Sequence, residues 1–200
     1  MNARWRSQLL LLVLITALAL AATLTWRHWT ASPIAEATQQ WKERQWLAVL
    51  PAGSYDNRPL ANPLPLAQPT LAHSRLLAAY RASLAGMPVA ILLHSSFQGY
   101  AGPVELAIAI DSQGRLVGVH VLKQQESPGL GDQLVDPTLH WLEQFTGKTH
   151  DQAWAIKRDH GVFDQMAGAT VTSRAVIDAL QDALRYFDAQ RPTLLGEATP

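Results

Sequence analysis

The sequence predicts an α+β protein in which an N-terminal transmembrane helix precedes one domain with a small antiparallel sheet and packed helices. Three observations support this fold class. A long uncharged apolar stretch stands near the start, alternating strand patterns follow Arg81, and an amphipathic helical pattern comes near the end. The 200 residues suffice for one medium-sized domain and an appendage.

Leu9 to Trp26 form the first predicted element, an uncharged apolar run at the length threshold for a membrane-spanning helix. Trp5 and Trp26 would lie roughly 31 Å apart along a helix, which matches the hydrocarbon thickness and places aromatic rings at both interfaces. We therefore predict a membrane anchor over residues 1–30. The small residues of "ALALAA" leave a cleaved signal peptide as the alternative, but the length of the run favours a retained anchor.

The charges around this run predict its orientation. Arg4 and Arg6 precede the apolar residues, and the positive-inside rule then places the N-terminus in the cytoplasm. The body would lie on the other side, which in a bacterium is the periplasmic side of the inner membrane. The absence of cysteine fits such an oxidising compartment and excludes disulfides, thiolate metal sites and a cysteine nucleophile.

Composition also narrows the partners. The chain has 16 basic and 16 acidic side chains and no basic stripe, so we expect no nucleic-acid partner. The seven His residues are scattered without the spacings of known metal sites, so we expect no protein-bound metal.

Residues 31–72 are predicted to connect the anchor to the domain. Ile34 to Leu50 has the pattern of a helix, with Pro33 near its start. Leu50 to Pro69 is rich in Pro and Asn, which is typical of an extended linker without regular structure.

The domain proper, residues 73–192, begins with strand patterns. "YRASLAGMPVAILLHSSF" predicts two strands around Ala85–Gly86. "PVELAIAIDSQGRLVGVHVLK" predicts a hairpin with its turn at Asp111–Gly114. In its first strand, large and small or polar residues alternate: Val104, Leu106 and Ile108 with Glu105, Ala107 and Ala109.

The second half of the domain is predicted to be mainly loops and helices. "ESPGLGD" is a tight loop because Pro and two Gly residues fall within four positions. Pro137 to Phe145 is predicted to be a short helix and Ala153 to Arg158 a strand, with Trp141 and Trp154 in the core. A helix from Ser173 to Ala189 follows, and the tail, residues 193–200, is expected to be loose.

"DQMAGATVTS", residues 164–173, combines small residues with three hydroxyls just before this helix. The structural interpretation is that Thr172 or Ser173 caps the helix and that Gly168 allows the backbone to turn. This interpretation leaves Thr170 unexplained. A helix N-terminus also offers free N–H groups and a partial positive charge, which suit a phosphate.

The same stretch resembles the flavinylation motif of the FMN-binding domain family, in which the Thr of a Gly-Ala-Thr triplet carries FMN through a phosphoester. "GYAGPVELAIAIDSQGRLVGVHVLKQQESPGLGDQL" is similar to the sheet and the loop of that family. The anchor and "PAGSYDN" resemble one branch, the G subunits of the Rnf (Rsx) ion-translocating electron-transport complex. The C subunits of the sodium-translocating NADH:quinone reductase are more distant relatives.

The resemblance implies a role for each matching residue. Thr170 would carry FMN covalently, with Gly168 and Ala169 beside the phosphate and Thr172 bonding the phosphate or capping the helix. Asp164 matches the leading Asp of the motif, which would serve recognition by the flavin transferase. The loop against the flavin ring would comprise Ser127, Pro128, Gly129, Leu130 and Gly131. Tyr100 could stack on the ring, although a core position is the favoured interpretation.

The resemblance further implies an electron-transfer protein without a catalytic site of its own. Its partners would be the other membrane subunits of the Rnf complex, which passes electrons between ferredoxin and NAD, and the flavin transferase that attaches FMN. Three alternatives stay open. They are a membrane-tethered periplasmic adaptor without flavin, a reductase with noncovalent FMN, and the C subunit of the quinone reductase.

Overall fold

The computed structural model describes residues 3–136 and 138–196, which form two compact units divided between Arg44 and Gln45. The first unit is helical, and helix α1 runs from Ala3 to Leu47. Within α1, Gln8–Trp26 has a mean hydropathy of 2.4 and is long and apolar enough to cross a membrane. The helix predicted over Ile34 to Leu50 is observed as far as Leu47, but its predicted start near Pro33 is wrong, since α1 continues through that position without a break.

A four-stranded antiparallel sheet forms the centre of the second unit. Its strands β1 (Arg75–Leu84), β2 (Met87–Gln98), β3 (Pro103–Asp111) and β4 (Leu116–Lys123) are neighbours in chain order. Both predicted hairpins are confirmed, with the β1–β2 turn at Ala85–Gly86 and the β3–β4 turn ending at Gly114. The α+β fold class is therefore confirmed.

One face of the sheet packs against helix α2 (Thr170–Leu195) and forms the main core. The large residues of the predicted alternation in β3 lie on this face, where Leu106, Ile108 and Ile110 have no solvent exposure. The apolar stripe predicted for α2 meets them: Val176, Leu180, Leu184 and Phe187. Burial of these two complementary faces is the main source of stability in the unit.

The opposite face of the sheet carries small residues, among them Ala107 and Ala109 on β3. Val49 and Leu50 pack on it, and a Cβ added at Gly118 would come within 2.6 Å of the Val49 carbonyl oxygen. Small side chains on this face therefore let the backbone that follows α1 approach the strands closely.

The Pro-rich segment covers the free edge of β1. Asn57 donates its side-chain amide to the Arg81 carbonyl oxygen (2.9 Å) and accepts the Ser83 N–H (2.9 Å), as a neighbouring strand would. The Leu64 N–H donates to the Ala79 carbonyl oxygen at 2.7 Å. The segment predicted to be a linker is irregular, as expected, but it also protects a sheet edge from unwanted pairing.

The connection from β4 to α2 is built from short 3-10 helices. They span Gly131–Val135, Trp141–Phe145 and Lys157–Asp159. The helix predicted from Pro137 is observed only over Trp141–Phe145, and Pro137 itself lies outside the described residues. The strand predicted at Ala153–Arg158 is wrong: Ile156 makes a single bridge to Phe163 before the chain turns into a 3-10 helix.

Aromatic packing holds this connection together. Phe145, Trp154 and Phe163 are buried and lie with ring centroids 4.8–6.1 Å apart. Trp154 is thus a core residue as predicted, and Trp141 packs edge-on against Phe145.

Helix α2 is longer at both ends than its sequence pattern indicated. It continues past Pro192 to Leu195, where Leu194 and Leu195 are buried. The Arg81 guanidinium donates to the carbonyl oxygens of Leu194 (2.6 Å) and Thr193 (3.2 Å), which stabilises the helix C-terminus. The prediction of a loose tail is wrong for residues 193–196, and residues 197–200 lie outside the described part of the chain.

Candidate functional site

A cavity of about 270 Å³ lies at the N-terminus of α2. One wall is the start of the helix, and the other is the loop that follows β4. Its lining includes most of the residues singled out from the sequence: Ser127, Leu130, Gly131, Gly168, Ala169, Thr170 and Thr172. Tyr100, Glu126 and Val171 complete the wall. Two motifs about 40 residues apart in the chain therefore meet in one concave site.

Thr170 is the first residue of α2, and it lines the cavity. Its hydroxyl makes no hydrogen bond to the described part of the chain. The Ser173 N–H is bonded to the Ala169 carbonyl oxygen (2.9 Å), so the N–H groups of residues 170–172 precede the first bonded one. An unbonded hydroxyl and unsatisfied backbone donors thus lie close together at the start of α2.

Gly168 shapes the entry into the helix. Its φ of +72° lies in the left-handed region, and a Cβ at this position would come within 2.8 Å of Leu130 Cδ2. The predicted turn at Gly168 is confirmed, and the glycine also lets Leu130 approach the backbone.

The other two hydroxyls of the motif form hydrogen bonds within the protein. Thr172 is fully buried and donates to Glu126 Oε2 at 2.7 Å. The Ser173 hydroxyl donates to the Ala169 carbonyl oxygen (2.8 Å) and accepts the Met166 N–H (2.9 Å). The predicted N-cap role of Thr172 or Ser173 is wrong, because both lie inside the first turn and the cap position, Ala169, has no side-chain cap bond.

The main chain at Asp164 is held by hydrogen bonds to two side chains, a few residues before the start of α2. Its carbonyl oxygen accepts hydrogen bonds from Trp141 Nε1 (2.8 Å) and Gln144 Nε2 (3.2 Å), and its N–H donates to Gln144 Oε1 (2.8 Å). The carboxylate instead points to solvent and pairs with Lys157 Nζ at 2.7 Å. Asp164 is therefore outside the cavity wall, on the surface beside it.

The loop from Ser127 to Gly131 is only partly within the cavity. Pro128 and Gly129 are exposed and do not line it. Gln133 holds the loop in place, since its side-chain amide donates to the carbonyl oxygens of Ala167 (2.9 Å) and Gly129 (3.4 Å). Tyr100 lies at the rim with 68% of its surface exposed, so its interpretation as a core residue is wrong.

Sequence reasoning missed Glu126, Gln133 and Gln144. Glu126 begins the quoted stretch "ESPGLGD", but a lone Glu before a turn gives no sign that it will be buried. The two Gln residues act on backbone atoms 20 and 34 positions away in the chain. No local pattern in the sequence carries such information.

Among the residues that the structure describes, the cavity lining contains no Lys or Arg side chain. The nearby basic residue Arg174 binds Asp159 through two hydrogen bonds of 2.8 and 3.1 Å, and this bonding lowers the pKa of the Asp159 carboxyl. An anion in the cavity would therefore be held by backbone N–H groups and the helix dipole.

Known proteins with similar sequences identify the family. The G subunit of the ion-translocating oxidoreductase complex of Pseudomonas aeruginosa is 44% identical over 176 residues, covering 85% of this chain and 82% of that protein. The corresponding protein of Stutzerimonas stutzeri is 38% identical, and the match covers 94% of this chain and 85% of that one.

This chain belongs to the family of Rnf G subunits. That assignment replaces the alternative of a quinone-reductase C subunit. The profile of the FMN-binding domain family matches residues 99–185, which include both walls of the cavity. A solved structure of the C subunit of the Na(+)-translocating NADH-quinone reductase from Parabacteroides distasonis is 22% identical, with a TM-score of 0.47 and coverage of 62% of this chain and 64% of that one.

Proposed function

We propose that this chain is a membrane-anchored electron-transfer subunit that carries FMN through a phosphoester on the Thr170 hydroxyl. The complex would be an ion-translocating ferredoxin:NAD oxidoreductase of the Rnf (Rsx) type. The observation that carries the proposal is the unbonded Thr170 hydroxyl at the N-terminus of α2, in a cavity within the segment matched by the FMN-binding domain family.

The residues of the cavity fit a flavin nucleotide. The backbone donors of the first turn of α2 suit a phosphate, and the Gly168 backbone leaves room beside it. Leu130 and Tyr100 offer exposed apolar surface for a flat ring at the cavity rim. Ala169 and Gly131 are buried in the wall, so they would shape the site and not contact solvent.

A covalent bond suits this site because the described residues that line the cavity include no positively charged side chain. FMN that dissociated from the site outside the cytoplasm would be diluted. Attachment keeps the cofactor at a high effective concentration next to the following electron carrier. When bound, FMN supplies the electron-transfer chemistry, while the chain binds and orients the ring.

Attachment would require a flavin transferase that uses FAD and magnesium. The Thr170 oxygen would form the new phosphoester as the pyrophosphate of FAD breaks, AMP leaves and the hydroxyl proton is released. Asp164 would serve recognition by this enzyme, since its carboxylate is exposed beside the site and its only described ion-pair partner is Lys157.

Helix α1 supports a proposal for the location of the protein. We propose a single pass through the bacterial inner membrane by Gln8–Trp26, with the FMN-binding domain on the periplasmic side and the other Rnf subunits as membrane partners. The domain boundaries proposed from the sequence, 1–30, 31–72, 73–192 and 193–200, serve as a working division of the chain.

Mutation of the acceptor residue tests the proposal. The chain is produced together with its flavin transferase, and covalent FMN is read by intact mass and by fluorescence after denaturing electrophoresis. We expect Thr170→Ala to lose the added mass and fluorescence completely, since the other two hydroxyls at the helix start are bonded. Thr170→Ser keeps the hydroxyl and should retain some flavin. Thr193→Ala, an exposed Thr in the same helix, should be labelled like the wild type.

Other outcomes identify the rival functions. A colourless wild-type chain in the presence of the transferase would support a tethered adaptor without flavin. A yellow protein that loses its colour on denaturation would support a reductase with noncovalent FMN. Unchanged fluorescence in Thr170→Ala would place the ester on another residue.

A further inference from the structure

Glu126 is an unexpected residue in the wall of the cavity. Its side chain is 7% exposed, although a carboxylate is rarely buried without a charged partner. Within the described residues it forms no ion pair with Lys, Arg or His. Such an arrangement is costly for stability, which points to a functional role for the carboxylate.

Both carboxylate oxygens of Glu126 form hydrogen bonds. The Thr172 hydroxyl donates to Oε2 at 2.7 Å, and the Ala101 N–H donates to Oε1 at 3.2 Å. The peptide N–H can only donate, so Oε1 is an acceptor, and the Thr172 hydroxyl holds Oε2 within the first turn of α2.

The surrounding backbone is built closely around this carboxylate. A Cβ at Gly99 would collide with Oε1, and a Cβ at Gly131 would collide with Oε2. Neither glycine has a positive φ, so the need for glycine at both positions comes from space and not from backbone conformation. The carboxylate thus contacts the β2–β3 turn, the loop after β4 and the first turn of α2.

We propose that Glu126 places a fixed negative charge beside the flavin and thereby lowers its reduction potential. This inference rests on the proposed attachment of FMN to Thr170, which lines the same cavity as Glu126 and stands two residues before its partner Thr172. A nearby negative charge opposes the addition of an electron to the ring, and no basic side chain among the described lining residues offsets it. Glu126 is a positioning residue as well, since it orients Thr172.

Three substitutions separate the charge of Glu126 from its structural role. Glu126→Gln keeps the size and can still bond Thr172 and Ala101 without charge. Glu126→Ala removes both the charge and the contacts, and it serves as a second neutral variant if the Gln variant folds poorly. Glu126→Asp keeps the charge but shortens the side chain. Asp132→Asn removes a charge from the same loop outside the cavity lining and is the matched control.

The readout is the reduction potential of the attached flavin, measured optically during titration with dithionite and mediators. Intact mass first establishes that each variant carries FMN, and circular dichroism establishes that it is folded. We expect both neutral variants to shift the one-electron equilibrium toward the reduced flavin by roughly tenfold, which is 59 mV for a one-electron couple. Glu126→Asp and Asp132→Asn should stay close to the wild type.

Two results would overturn the inference while leaving the proposed function intact. One is a labelled, folded neutral variant with an unchanged potential. The other is an Asp variant that shifts as much as the neutral ones, since this would mean that packing and not charge sets the potential. A wild-type chain that never acquires FMN would instead overturn the proposed function, and this inference would fall with it.

Discussion

At the scale of single residues, the three hydroxyls of "DQMAGATVTS" have separate tasks. Ser173 ties the preceding loop to the helix, and Thr172 binds Glu126. Only Thr170 keeps its hydroxyl unbonded, facing the cavity. The structure therefore gives a physical reason, independent of the family motif, for proposing Thr170 as the acceptor among three similar side chains.

Gly168 provides a test at this scale. We expect Gly168→Ala to lower stability by about 1–2 kcal/mol, because a Cβ is strained at φ +72°. The new Cβ would also displace Leu130 Cδ2 from the cavity wall, so the yield of covalent FMN should fall. Thermal unfolding and intact mass measure the two effects.

Gly86→Ala is the matched control for this substitution. Gly86 has a φ of +78° and no atom within 4 Å of an added Cβ, so it should show the strain without a loss of FMN. An equal loss of FMN in both variants would mean that general destabilisation, and not the contact with Leu130, limits attachment.

At the scale of elements, the four strands of the sheet followed their sequence patterns, whereas the connection from β4 to α2 followed them only in part. In β3 the large residues lie on one face of the sheet and the Ala residues on the other. Both faces are buried, so the size of each side chain follows the face on which it lies. The segment at Ala153–Arg158 alternates only weakly. Its backbone is bonded mainly within its own turn, for instance through the Phe163 N–H and the Ala155 carbonyl oxygen at 3.2 Å, so no strand forms.

Two His residues on the small-residue face of the sheet should make stability depend on pH. His94 on β2 and His120 on β4 both pair with Ala107 across the sheet, and burial lowers the pKa of each below 6.5. For His94 the Glu105 carboxylate partly opposes this shift. The unfolded chain therefore takes up protons at a pH where the folded chain does not, so stability should fall as the pH drops through 6.5.

Thermal unfolding between pH 7.5 and 5.5 measures this effect. We expect the midpoint to fall by roughly 1–3 °C on acidification, a small change because both His residues are partly exposed to water. His94→Gln should flatten the dependence, and a double variant with His120→Gln should flatten it further. His160→Asn, at an exposed site, is the control. A double variant with the full wild-type slope would contradict this assignment.

At the scale of the whole molecule, two compact units divide the proposed tasks. The first is a helix with one segment able to cross a membrane, and the second contains the sheet, α2 and the cavity. A tether on one unit and a redox site on the other agree with a protein that hands electrons to membrane partners.

The absence of cysteine makes the orientation directly testable. Single cysteines are introduced by Asn2→Cys, before the apolar run, and by Arg115→Cys, in the exposed β3–β4 turn. We expect a membrane-impermeant maleimide to label Arg115→Cys in intact spheroplasts and Asn2→Cys only after lysis. Protection of Arg115→Cys until lysis would contradict the periplasmic location. A mature chain whose mass lacks the first residues would support the cleaved signal peptide.

The sequence by itself determined the features that repeat over short distances: the apolar run of α1, the two hairpins, the stripe of α2 and the motif around Thr170. Such features depend on residues that are close in the sequence, so the sequence pattern is enough to predict them. Tertiary structure alone decided that α2 starts at Thr170, that Arg81 extends its other end, and that Glu126 is buried against Thr172. Each of these features depends on a contact between residues 46 or more positions apart, or on a backbone turn set by such contacts. A local sequence pattern does not show which distant residue will make the contact.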